Sequence, residues 1–114
     1  MTGVQYLDEL FSAIRDTADQ LGAADSWLAK ADASPHLHWR MSFLQAARNA
    51  HLTAQRRFGD ANRTLATLGP PDRLPSLLAG IPERLGELRT RLEASEKRLG
   101  STLDRVMQTP RGQA

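Results

Sequence analysis

The chain has 114 residues, enough for one domain, and carries 15 basic and 13 acidic side chains. Hydrophobic residues make up 40% and aromatic residues only 5%; Leu and Ala dominate over two Val and two Ile, which favours helix over sheet. The absence of cysteine excludes disulfides, thiolate metal sites, Fe–S clusters and a cysteine nucleophile, and no apolar run approaches the roughly 18–20 residues of a membrane span.

The first predicted helix covers residues 4–32. Thr2-Gly3-Val4-Gln5 has the form of a capping box. Val4, Leu7, Phe11, Ile14, Ala18 and Leu21 then recur at steps of three and four, which places them on one helical face. Gly22 is a plausible stop, yet Leu28 continues the pattern seven residues after Leu21. One long helix and a break at Gly22 both remain open. Asp25 and Asp32 fall on the continuing face, so a bend there is expected, with Asp25 suited to capping a second helix.

The second predicted helix covers 35–68. Ser34 is a natural cap, and Pro35 suits the first helical turn. Leu37, Leu44, His51, Phe58 and Leu65 recur every seven residues, with Ala47, Ala54, Ala61 and Leu68 between them. Trp39, Phe43, Ala46 and Ala50 add a second apolar edge, as in a helix that touches two neighbours. Gly69-Pro70-Pro71 ends it.

The third predicted helix covers 76–108. Leu78, Leu85, Leu92, Leu99 and Val106 run through Pro82, which either kinks one helix or separates a short helix from a long one. Beside this seam Arg84, Arg91, Arg98 and Arg105 form a stripe at seven-residue spacing. A parallel self-pairing of this helix would set those arginines against Pro82, Arg89, Glu96 and Leu103, of which only Glu96 is acidic. The first 35 residues, with six acids and two bases, are the better internal partner.

The expected fold is therefore all-α: an antiparallel, coiled-coil-like three-helix bundle over residues 1–108, with a short extra helix as an open fourth element. The tail 109–114 is expected to be disordered. The expected core is Leu7, Phe11, Ile14, Leu21, Leu44, His51, Phe58, Leu65, Leu85, Leu88, Leu92 and Leu99. His51 reads as a seam histidine holding one hydrogen bond, which would make stability pH-sensitive.

Catalytic and metal chemistry find no support. His36 and His38 diverge on a helix, the carboxylates form no obvious buried pair, and no phosphate loop, dinucleotide fingerprint or nucleophile elbow occurs. The expectation is a protein with no catalytic residues, metal, cofactor, small-molecule substrate or membrane partner. The leading reading is a non-catalytic interaction subunit (adaptor, assembly or regulatory component) that binds another protein or itself as a homo-oligomer. It would use Trp27, Trp39 and Phe43, the residue types that dominate hot spots, with Arg84, Arg91, Arg98 and Arg105. The alternative is a nucleic-acid-associated subunit of a larger complex that contacts phosphates through Arg48, Arg56, Arg57, Arg63, Arg84, Arg91 and Arg98. The Arg-over-Lys bias fits a GC-rich bacterial or phage genome, and a cytoplasmic setting is expected.

Overall fold

The computed structural model describes residues 3–69 and 76–108. Helix α1 spans Gly3–Ala33 and α2 spans Leu37–Leu68; a single 3-10 turn at Ser76–Leu78 precedes α3, Ile81–Met107. No strand occurs among the described residues. The three helices pack as an all-α bundle with extents of 60 × 22 × 16 Å. No helix among the described residues is long and apolar enough to cross a membrane. The capping box at Thr2, the Pro70-Pro71 step, Leu74 and the 109–114 tail lie outside the described residues.

Helix α1 passes Gly22 without a break. Glycine in a helix costs roughly 0.5–1 kcal/mol. Leu21, Ala24, Leu28 and Ala31, all at most 1% exposed, continue one buried stripe through it. Burying a leucine contributes about 1.5–3 kcal/mol, so packing outweighs the glycine. The buried stripe is Leu10, Ile14, Thr17, Leu21, Ala24, Leu28 and Ala31. It lies one position off the expected Phe11–Ala18 face near its start. Phe11 is 44% exposed, a correction to the expected core, while Leu10 is fully buried in its place. Thr17 is tolerated in the stripe because its hydroxyl donates to the Ala13 carbonyl at 2.7 Å. Helix α1 runs unbroken through Asp25 and Asp32, which start no second helix and instead pair with arginines of α3.

Ser34 ends α1 instead of starting α2. Its N–H donates to the Lys30 carbonyl, and its own carbonyl accepts Arg40 Nε at 2.7 Å. Helix α2 begins two residues later than expected, after an extended His36 that makes no side-chain cap. At its other end Gly69 adopts φ +118°, a region that favours glycine, and its N–H donates to the Ala66 carbonyl. Pro82 sits in the first turn of α3 and opens it without a kink. The expected extra helix is only the 3-10 turn, whose Leu78 is buried in the main core.

Two ion pairs fix the direction of packing. Arg98 meets Asp25 and Arg105 meets Asp32, each pair 73 residues apart, so α1 and α3 run parallel. Trp27 meets Phe43 while Asp16 meets Arg57, so α2 runs antiparallel to α1. The core has two apolar parts. The larger gathers Leu10, Ile14 and Leu21 with Ala54, Ala61, Leu85, Leu88 and Leu92; the smaller joins Leu28, Leu44 and Ala47, with Trp27 and Leu99 against them. His51 and Ser95 lie between these parts along α2 and α3. Leu7, Phe58, Leu65 and Leu99 are only partly buried.

Candidate interaction surface

The seam of α2 leaves a second stripe beside it. Met41, Gln45, Arg48, Leu52 and Gln55 recur at steps of four and three, facing the outer flank of α3. From α3 come Glu96, Leu99, Gly100 and Leu103. Together they line an open groove of about 390 Å³, with Leu44 and His51 also in its wall. Gly100 helps make the groove: a Cβ there would find nothing within 4 Å. Met41, Leu52 and Leu103 are 43%, 44% and 43% exposed. Three large apolar side chains around one concavity are more informative than scattered exposed leucines.

A second apolar feature adjoins the same end of the bundle. The Trp27 and Phe43 rings stack at 5.8 Å, and Phe43 stacks on Trp39 at 6.1 Å. His38 meets Trp39 edge-on at 5.3 Å, and Lys30 Nζ lies 4.5 Å from the Trp27 ring centroid. Trp27 packs against the smaller core, whereas Trp39 is 52% exposed. Of the two tryptophans offered as interaction residues, Trp27 thus anchors the core and Trp39 lies on the surface.

The arginines lie elsewhere. The Arg84, Arg91, Arg98 and Arg105 stripe runs along the α1-facing flank of α3, opposite the groove. Arg98 and Arg105 hold Asp25 and Asp32 at 2.9 and 2.7 Å, and Arg84 pairs with Glu87 of its own helix at 3.2 Å. Arg91 stands over a shallow depression with Leu21, Asp25 and Ser95. Arg57 is a structural hub, at 3.0 Å from Glu9, 3.0 Å from Asp16 and 2.8 Å from Asp60. Burial opposes its charge, but the bonds to Glu9, Asp60 and Asp16 outweigh burial and raise its pKa. Arg63 pairs with Asp60 as well. Of the seven arginines proposed for phosphate contact, Arg57, Arg63, Arg84 and Arg98 thus already face carboxylates; Arg48 and Arg56 are exposed on α2.

His51 Nδ1 lies 3.0 Å from Ser95 Oγ, with both residues buried. A serine–histidine pair invites comparison with a nucleophile and its base, and the geometry does not support it. Ser95 is 3% exposed, and His51 Nε2 has no partner that would orient the ring. Burial pushes the His51 pKa down, with Glu96 opposing it. No cluster of three or more His, Asp or Glu side chains suited to a metal ion occurs among the described residues.

The groove residues Met41, Leu52 and Leu103 were not among the sequence candidates. Their signal is faint: Leu52 and Leu103 each follow a seam position directly, after His51 and Thr102. Comparison with protein-family models, curated proteins and solved structures returns no match.

Proposed function

We propose that the chain is a non-catalytic helical interaction subunit that docks a protein partner on the α2/α3 groove. The observation that carries this reading is the convergence of Met41, Leu52 and Leu103, each about two-fifths exposed, on one 390 Å³ concavity. Burying such side chains against a partner helix contributes favourably, and an amphipathic helix laid into an apolar groove is a common mode of recognition. The exposed Trp39, stacked on Phe43, supplies a rigid aromatic anchor beside it. Polar side chains at the groove edge, Gln45, Arg48, Gln55 and Glu96, give the polar rim of such an interface. A cytoplasmic setting in a bacterial or phage system goes with this reading.

Photo-crosslinking in source cells tests it. A photoreactive residue at Leu52 or Leu103 should give a discrete protein adduct, and one at Asp19, on the exposed face of α1, should give none. Absence of adducts from both groove positions overturns the reading.

A further inference from the structure

Building on that reading, we propose that the groove's partner is a second copy of this chain, related by a two-fold axis running along the groove. The argument is charge complementarity. Arg48 stands on the α2 wall and Glu96 on the α3 wall, with only the glutamines Gln45 and Gln55 as other polar rim residues. Neither charge has an ion-pair partner among the described residues, in contrast to Arg57, Arg63, Arg98 and Arg105. A strongly acidic partner would satisfy Arg48 and repel Glu96; a strongly basic one would do the reverse. A partner that presents one of each, spaced as they are here, matches both.

The chain itself is such a partner. In an isologous contact residue i of one copy meets residue j of the other, and j meets i. A two-fold along the groove lays α2 of each copy over α3 of the other at the same height along the bundle. Arg48 of each copy then lies over the neighbourhood of Glu96 in the other, and the contact is made twice. Met41 of one copy meets Leu103 of the other at one end of the groove, while Leu52, level with the His51–Ser95 pair, extends the apolar contact toward the other end. A two-fold across the groove would instead lay α2 on α2 and α3 on α3, and Arg48 would not meet Glu96. A standard interface takes about 800 Å² from each partner, a modest part of the 7266 Å² of this chain. The arrangement pairs α2 with α3 and so avoids the parallel α3 pairing that the arginine stripe disfavours.

Light scattering behind a sizing column tests the proposal on the full chain. The expected mass is about 25 kDa, twice 12.6 kDa. Arg48→Glu and Glu96→Arg should each weaken the dimer at least about tenfold, and the double exchange should restore it, because like charges face each other only in the single variants. Leu103→Asp should give a folded monomer, with circular dichroism confirming that the helices survive. A wild-type monomer at about 100 µM, where even weak specific dimers form, overturns the proposal. So does a dimer that Leu103→Asp and both single charge variants leave intact. If the wild type is a monomer while the groove crosslinks to a different protein, this inference fails and the interaction reading stands. If the groove gives no adducts, both fail.

Discussion

His51 Nδ1 lies 3.0 Å from Ser95 Oγ between the two apolar parts of the core, and the other ring nitrogen has no hydrogen-bond partner. A charged imidazole here would lose its hydration and gain little in return. Burial accordingly holds its pKa below the ordinary 6.5, against an opposing pull from Glu96. The folded state therefore binds fewer protons than the unfolded state at mildly acid pH. This neutral histidine's stabilising contribution is complete above about pH 6.5 and is lost as pH falls from there toward the lower folded value. Urea unfolding at about pH 7.5 and about pH 5.5, a range largely above carboxylate titration, should show lower stability at the acid end. His51→Leu should flatten this dependence, because the imidazole whose pKa burial lowers is then absent. An unchanged pH slope in His51→Leu would refute the assignment. Arg48 and Glu96 share the groove wall with His51, so the comparison is made in a monomeric charge variant as well.

The same pair makes a prediction about polar satisfaction. Ser95→Ala leaves both imidazole nitrogens buried without a partner, which costs about 1–3 kcal/mol. Replacing both residues, His51→Leu with Ser95→Ala, removes the two polar groups together. That double variant should be no less stable than the wild type at neutral pH, since matched apolar replacement of a buried pair is near neutral or stabilising. Chemical unfolding of the two singles and the double gives a complete cycle. A double variant as unstable as the sum of the singles would show that the pair contributes by shape and not by its hydrogen bond.

The three-helix architecture was legible from heptad spacing, and so was the pairing of α3 arginines with acids of the first segment. What sequence could not choose was between stripes one residue apart. Leu10 and Phe11 are adjacent, and either continues to Ile14 at an allowed helical step. The choice depends on where two other helices sit, which is not local information. Leu10 is fully buried and Phe11 is 44% exposed. Leu10→Ala should therefore cost about 2–5 kcal/mol. Phe11→Ala should cost well under the core value, within about 1 kcal/mol. Denaturant midpoints at constant m-value decide it; equal losses would put Phe11 back into the core. The groove was illegible for a related reason. Leu52 and Leu103 are far apart in sequence and gain meaning only once α2 and α3 are antiparallel neighbours.

Gly22 was ambiguous because a local preference competed with a distant one. Its helix is held by Leu21 and Leu28 on the buried side. A Cβ added at Gly22 would have nothing within 4 Å. Gly22→Ala should thus raise stability by about 0.5–1 kcal/mol, by reducing the freedom of the unfolded chain without a clash. A lower thermal midpoint for this variant would show that α1 needs to flex at that point.

Arg57 and Arg98 both join α1 to another helix, yet they should not contribute equally. The Arg57 side chain is 20% exposed and serves Glu9, Asp16 and Asp60, with Ser12 Oγ at 3.4 Å. The Arg98 side chain is 48% exposed and, among the described residues, pairs with Asp25 alone, itself 49% exposed. Isolated exposed pairs contribute about 0–1 kcal/mol, while networks around a partly buried cation exceed that. Arg98→Ala should cost less than about 1 kcal/mol, and the loss should shrink further at high salt. Arg57→Met retains much of the apolar stem but leaves Glu9 and Asp16 without their cation, with Asp60 held by Arg63 alone, so the loss should exceed that of Arg98→Ala. Unfolding curves for both variants at low and high salt separate the cases. A loss at Arg57 no larger than at Arg98 would mean that the α1–α2 contact rests on the core alone.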